Sequence, residues 1–151
     1  MEFAVLSRRE IKNFRTDKKH IVISVMDPGD SEGPAAIPDS RKRLGVLALA
    51  FHDMDVRAMG LIKESKSWET RDFVFFSGET ARRIAEFVRK AMAGNRLKLI
   101  VCQCEAGISR SAGIAAALAK CIDGDDRYFF KHFIPNSLVY SLIIKEWRAK
   151  C

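Results

Sequence analysis

Eight consecutive residues, Cys104-Glu105-Ala106-Gly107-Ile108-Ser109-Arg110-Ser111, set a thiol, a guanidinium and a hydroxyl at fixed spacing. A thiolate is a strong nucleophile, and an arginine offers a planar fork of donors that fits two oxygens of one phosphate group. The mostly apolar residues 97–102 lead into this stretch and the small residues 112–121 lead out, which predicts a buried strand, a tight loop and a helix N-terminus. Backbone N–H groups of such a loop and of the first helical turn converge on one point and hold an anion there. The same field favours the ionised form of a thiol placed where the strand ends. Nucleophile, anion cradle and clamp together point to cleavage of a phosphate ester through a cysteinyl-phosphate. The competing reading is a buried, purely structural Cys104. After a given cysteine, Gly at +3, Arg at +6 and Ser or Thr at +7 arise by chance roughly once in a few thousand trials. Four cysteines in the chain do not make such a coincidence common.

The Cys-x5-Arg-Ser pattern resembles the signature loop of cysteine-dependent protein tyrosine phosphatases, in particular their compact dual-specificity-like and bacterial-type members. Residues 105–113 (Glu-Ala-Gly-Ile-Ser-Arg-Ser-Ala-Gly) are similar to the loop of those proteins. The resemblance implies a single phosphatase-like domain over residues 1–151, built on a central sheet of four or five strands. It implies Cys104 as nucleophile, with Arg110 and the amides of Glu105, Ala106, Gly107, Ile108, Ser109 and Arg110 as the phosphate cradle. Ser111 steadies the departing thiolate, and neither cofactor nor metal is required. The family usually carries His before the nucleophile, where this chain has Gln103. An amide can donate and accept but cannot carry charge.

Thiolate attack on a phosphotyrosine must expel a phenolate, whose conjugate acid has a pKa of about 10. Protonating that oxygen is worth about 10²–10⁴ in rate. The resemblance implies an Asp on a separate loop, after a strand that precedes the signature loop. Asp53 is the first choice, in the segment Phe51-His52-Asp53-Met54-Asp55, with Asp55 and Asp72 as alternatives. His52 is either a base, a substrate contact or an ordinary turn residue.

The pattern of the whole chain agrees with such a site. Strand signals lie at residues 3–6, 21–26, 44–51 and 97–102. Ser7 and Glu10 have capping-box spacing for a helix to residue 14, and Ser77 caps a helix over residues 78–92 that Gly94 closes. The helix after the loop ends at residues 123–126, a short helical piece covers 128–133, and Asn136 caps a last amphipathic helix. Residues 56–73 show no period and read as a surface excursion, with Trp68 and the aromatics of 73–76 lining either a substrate mouth or the core. Alternating strands and helices predict an α/β fold with a mainly parallel sheet covered on both faces. Ligands of such sheets bind at the carboxyl ends of strands, where Cys104 lies.

Composition sets the remaining bounds. With 48% hydrophobic and 30% charged residues, the 151-residue chain reads as one globular domain. The first residues lack a signal-peptide pattern, and the longest apolar run, 44–51, falls far short of the ~18 residues of a membrane span, so the cytoplasm is expected. Thiols there stay reduced, and no second Cys/His pair completes a zinc site. Cys102 and Cys104 share one side of their strand, so Cys102 or Cys121 could resolve an oxidised Cys104, or simply fill the core. The net charge of +7 suits an anionic substrate. Arg8, Arg9, Lys12, Arg15, Lys18 and Lys19 lack interleaved aromatics except Phe14 and read as a solvated face, not a nucleic-acid surface. The expected substrate is a phosphorylated protein, phosphotyrosine first and phosphoserine or phosphothreonine next, acted on by a monomer. Phosphate, sulfate and vanadate should occupy the loop. The rivals are a binding module without turnover, a phosphoinositide or RNA 5′-phosphatase using the same loop, and a thiol-dependent arsenate reductase.

Overall fold

In the computed structural model, residues 1–55, 73–94 and 96–150 are described. The strand β2 (His20–Met26) is buried along nearly its whole length, because Ile21, Val22, Ile23 and Val25 supply β-branched side chains to both faces. It lies between β3 (Arg43–Ala50) and β4 (Leu99–Gln103), and β1 (Glu2–Leu6) pairs with the far side of β4. The order is β1-β4-β2-β3 and every pairing is parallel. The α/β class with a parallel central sheet is therefore as expected, with four strands among the described residues.

Alternation along the strands divides the core. Ile21, Ile23, Val25, Ile100 and Cys102 face the larger cluster, which includes residues of α2 (Gly78–Met92), α3 (Arg110–Asp123) and α5 (Ser137–Arg148). Val22, Leu99 and Val101 face the other way, against Ile11 of the one-turn α1 (Arg8–Ile11), Phe14, Ala35 and Ile37. Each large aliphatic side chain buried in this way contributes about 1.5–3 kcal/mol. A short helix, α4 (Arg127–His132), leads to α5.

Local signals decide most helix ends. The capping box of Ser7 and Glu10 is formed, Ser77 accepts from Thr80 N–H, and Asn136 accepts from Val139 N–H. α1 stops at Ile11, sooner than the expected residue 14. Gly94 does not close α2; right-handed Ala93 caps it, and the left-handed glycine closure occurs instead after α3, at Gly124 (φ 77°). Arg43 belongs to β3 and is half-buried, donating to Pro38 C=O at 2.7 Å.

One consequence of the topology fixes the site. Since all four strands run the same way, their carboxyl ends share one edge of the sheet. Ser7, Asp27, Phe51 and Cys104 all leave the sheet there or close to it.

Candidate active site

Cys104 follows β4 directly, and its N–H donates to Leu6 C=O at 3.2 Å, which ties the start of the loop to the end of β1. Gly107 takes φ 68°, and a Cβ there would lie 2.6 Å from Ser7 N and 2.7 Å from Leu6 C. Only glycine fits that position, for conformation and for space. The loop carbonyls are drawn outwards. Glu105 C=O accepts from Arg8 N–H at 3.1 Å, Ile108 C=O from Ile134 N–H at 3.1 Å, and Ser109 C=O from Asn136 N–H at 3.0 Å and Gly113 N–H at 2.8 Å. In a trans peptide the following N–H points opposite to its carbonyl. The amides of Ala106, Ser109 and Arg110 are therefore turned to the inner side of the loop, as an anion cradle needs.

Cys104 is only 2% exposed, and its Sγ lies 3.0 Å from the Ser111 hydroxyl of α3. Arg110 is 5% exposed. Its Nη1 donates to Asp27 Oδ1 at 2.7 Å and to Phe51 C=O at 2.9 Å, so one arginine gathers the loops that follow β2 and β3. Its buried Nε has no hydrogen-bond partner among the described residues. An orphaned buried donor on a cation is costly.

Asp53 lies beside the loop. Its Oδ1 accepts from the Ser109 hydroxyl at 2.8 Å and from Asn136 Nδ2 at 2.9 Å. A groove of about 320 Å³ runs past it, lined by Asp53, Asp55, Ser109, Ile134, Pro135 and Asn136. Asp55 shares the groove. Asp72 and Trp68 lie outside the described residues. His52 holds the chain in place: its Nδ1 accepts from Val74 N–H at 2.9 Å and its own N–H donates to Val74 C=O at 2.8 Å. Of the aromatics at 73–76, Phe76 belongs to the core, with its ring centroid 4.9 Å from that of Phe51.

Gln103 points to the face of the sheet opposite Cys104. Its Oε1 accepts from the Ser24 hydroxyl on β2, and its Nε2 donates to the Cys104 carbonyl at 2.9 Å. It therefore braces the backbone of Cys104. Cys102 shares the helix-side core with Cys104, and burial, then the neighbouring Cys104, pushes its thiol well up from the usual value.

Three residues of the site do work that the sequence reading does not assign to them. Asp27 follows β2 as Asp53 follows β3, so the strand-end rule could have found it. Arg8 belongs by sequence to a solvated face, yet it is 9% exposed. Its Nη1 donates to Gly33 C=O at 2.9 Å, and its Nε faces Glu32 at 3.4 Å and Glu105 at 3.5 Å. These acceptors, from two loops, offset part of the cost of burying the guanidinium, whose Nε makes no hydrogen bond among the described residues. Asn136 carries a sequence signal only as a helix cap.

No family model matches the chain, and no curated protein matches it in sequence. Solved structures do match it. The human tyrosine phosphatase-like serine/threonine/tyrosine-interacting protein matches with a TM-score of 0.52 at 20% identity, over 88% of this chain and 78% of that one. Tk-PTP in its active form gives a TM-score of 0.52 at 15% identity, covering 99% and 91% of the two chains. PTPMT1 gives a TM-score of 0.51 at 13% identity, covering 98% and 90%. The fold is that of tyrosine phosphatase-like proteins. No helix among the described residues is long and apolar enough to cross a membrane.

Proposed function

We propose that the chain is a phosphatase of the cysteine-dependent type, hydrolysing phosphate monoesters, phosphotyrosine in proteins first and phosphoserine or phosphothreonine next. The observation that carries this reading is Arg110, anchored through Nη1 while its buried Nε has no partner among the described residues, one residue before the hydroxyl that contacts the Cys104 thiol. A guanidinium anchored through one nitrogen, with a second donor unpaired, supports a phosphoryl-binding role.

In the first step the Cys104 thiolate forms the S–P bond as the P–O bond to the leaving group breaks. Arg110 and the inward amides hold the equatorial oxygens, and Asp53 passes its proton to the leaving oxygen. In the second step a water loses its proton to Asp53 and attacks phosphorus, the S–P bond breaks, and the Ser111 hydroxyl donates to the released thiolate. The test is release of phosphate from phenyl phosphate without added metal, blocked by vanadate. Cys104→Ser should retain inorganic phosphate binding and lose turnover, since a hydroxyl is a far weaker nucleophile at neutral pH. Retention of about a tenth of the wild-type rate would exclude the cysteinyl-phosphate route.

A second reading, a phosphate-binding module without turnover, is favoured by one observation: Gln103, where the resembled family usually has His, braces backbone and cannot carry charge. One of the similar structures is named as an interacting protein. Binding of phosphate with no hydrolysis of phenyl phosphate by the wild-type chain would select this reading.

A further inference from the structure

We propose that Asn136 is a positioning residue for the proton transfer, fixing the Asp53 carboxyl beside the phosphate loop and choosing which of its oxygens carries the proton. The inference rests on the assignment of Asp53 as the general acid. Asn136 is 3% exposed at the head of α5. Its side chain serves two elements at once. Oδ1 accepts from Val139 N–H at 3.0 Å and so caps α5, while Nδ2 donates to Asp53 Oδ1 at 2.9 Å and to Met54 C=O at 3.0 Å. Its main-chain N–H donates to Ser109 C=O at 3.0 Å. One residue therefore fixes the acid-bearing segment and the phosphate loop to the same helix end.

The contacts also discriminate between the two carboxyl oxygens. Asp53 Oδ1 accepts from both the Ser109 hydroxyl and Asn136 Nδ2, which occupies both of its lone pairs. The proton of the neutral acid then resides on Oδ2, and Oδ2 is the atom that delivers it as the P–O bond breaks. A carboxyl free to rotate would divide the proton between two oxygens and two orientations. Asparagine is the residue that meets every demand at this position. Aspartate caps a helix as well but cannot donate, and serine caps but is too short to reach Asp53.

Asn136→Ser and Asn136→Asp both keep a helix cap and so keep α5 in place. Two substrates are compared: phosphotyrosine, whose leaving group needs a proton, and 2,4-dinitrophenyl phosphate, whose leaving group is a weak base. In both variants kcat on phosphotyrosine should fall about 10- to 100-fold, as expected for a misplaced catalytic group. On 2,4-dinitrophenyl phosphate it should change less than about threefold. In Asn136→Ser, which adds no charge, KM and inhibition by inorganic phosphate should stay as in the wild type. Combined with Asp53→Asn, Asn136→Ser should cost nothing further, because it acts only through that carboxyl. Equal losses on both substrates, wild-type turnover of phosphotyrosine by Asn136→Asp, or a full penalty persisting in the double variant would overturn the proposal. Asp53→Asn alone separates the two readings. If it lacks the selective loss, the acid assignment fails and this inference with it; if it shows the loss and Asn136→Ser does not, only the role of Asn136 fails.

Discussion

Cys104 and Ser111 are the two ends of one short contact, thiol to hydroxyl at 3.0 Å, with both residues buried. On the proposed mechanism that hydroxyl matters most when the thiolate leaves phosphorus. Ser111→Ala should therefore give a burst of phenol stoichiometric with enzyme, followed by a steady rate about 10² slower, the usual cost of deleting one donor to developing charge. Rapid-quench measurement with phenyl phosphate reports both phases, and loss of the burst together with the steady rate would place the hydroxyl in the first step instead. The acid is tested by its own substitution. Asp53→Asn should lose about 10²–10⁴ in rate on phosphotyrosine and far less on an ester with a weakly basic leaving group. Should the selective loss appear in Asp55→Asn instead, the acid lies two residues on in the same groove.

Among elements, α3 and the head of α5 pack closely beside the site. A Cβ on Gly113 would lie 2.9 Å from Asn136 O and 3.1 Å from Asn136 N, and backbone cannot give way as a flexible side chain can. Gly113→Ala should cost about 1–3 kcal/mol of stability, read by denaturant unfolding, and should slow phosphotyrosine turnover by displacing Asn136. At the α4–α5 junction the Tyr140 hydroxyl donates to Asp126. Burial first, then that bond, raises the phenol from its ordinary 10.0 to about 12. The folded chain thus holds this proton more tightly than the unfolded chain, so its contribution to stability is present below pH 10.0 and is lost as pH rises towards 12. Of the two tyrosines, one should ionise late in a spectrophotometric titration, and Tyr140→Phe should remove that late step and flatten the alkaline loss of stability.

At the scale of the molecule, the site is held by connections between strand ends. Arg110 links α3 to the segments after β2 and β3, and Arg8 links α1 to residues 30–33 and to the loop after β4. Asp27, Asp30 and Glu105 bring their carboxylates within 4.8 Å of one another, and the two arginines answer that charge. Arg8→Leu leaves Asp30, Glu32 and Glu105 without it. Stability should fall by about 1–3 kcal/mol, and added salt should recover part of the loss, because Glu32 and Glu105 are reached by solvent. Chemical denaturation at low and high ionic strength checks both statements; a salt-independent loss would mean that packing of the side chain, not its charge, is what Arg8 provides.

The features legible in the chain alone are those that residue chemistry and short range decide. The thiol, the clamp and the hydroxyl lie within eight residues, so their spacing alone places them around one loop. Ser7 with Glu10, Ser77 with Thr80 and Asn136 with Val139 are likewise local, each cap reaching three residues along the chain. Alternation and β-branched runs locate the strands for the same reason. Whatever depends on strand order is settled only by the fold. The parallel arrangement β1-β4-β2-β3 brings Asp27 to Arg110 and Asp53 to Asn136, each pair 83 residues apart. The same order buries Arg8 against acids from two loops, and makes Gln103 meet Ser24 across β2 and β4. No periodicity encodes such meetings, because hydrogen bonds between distant residues follow from which strands pair and in what register.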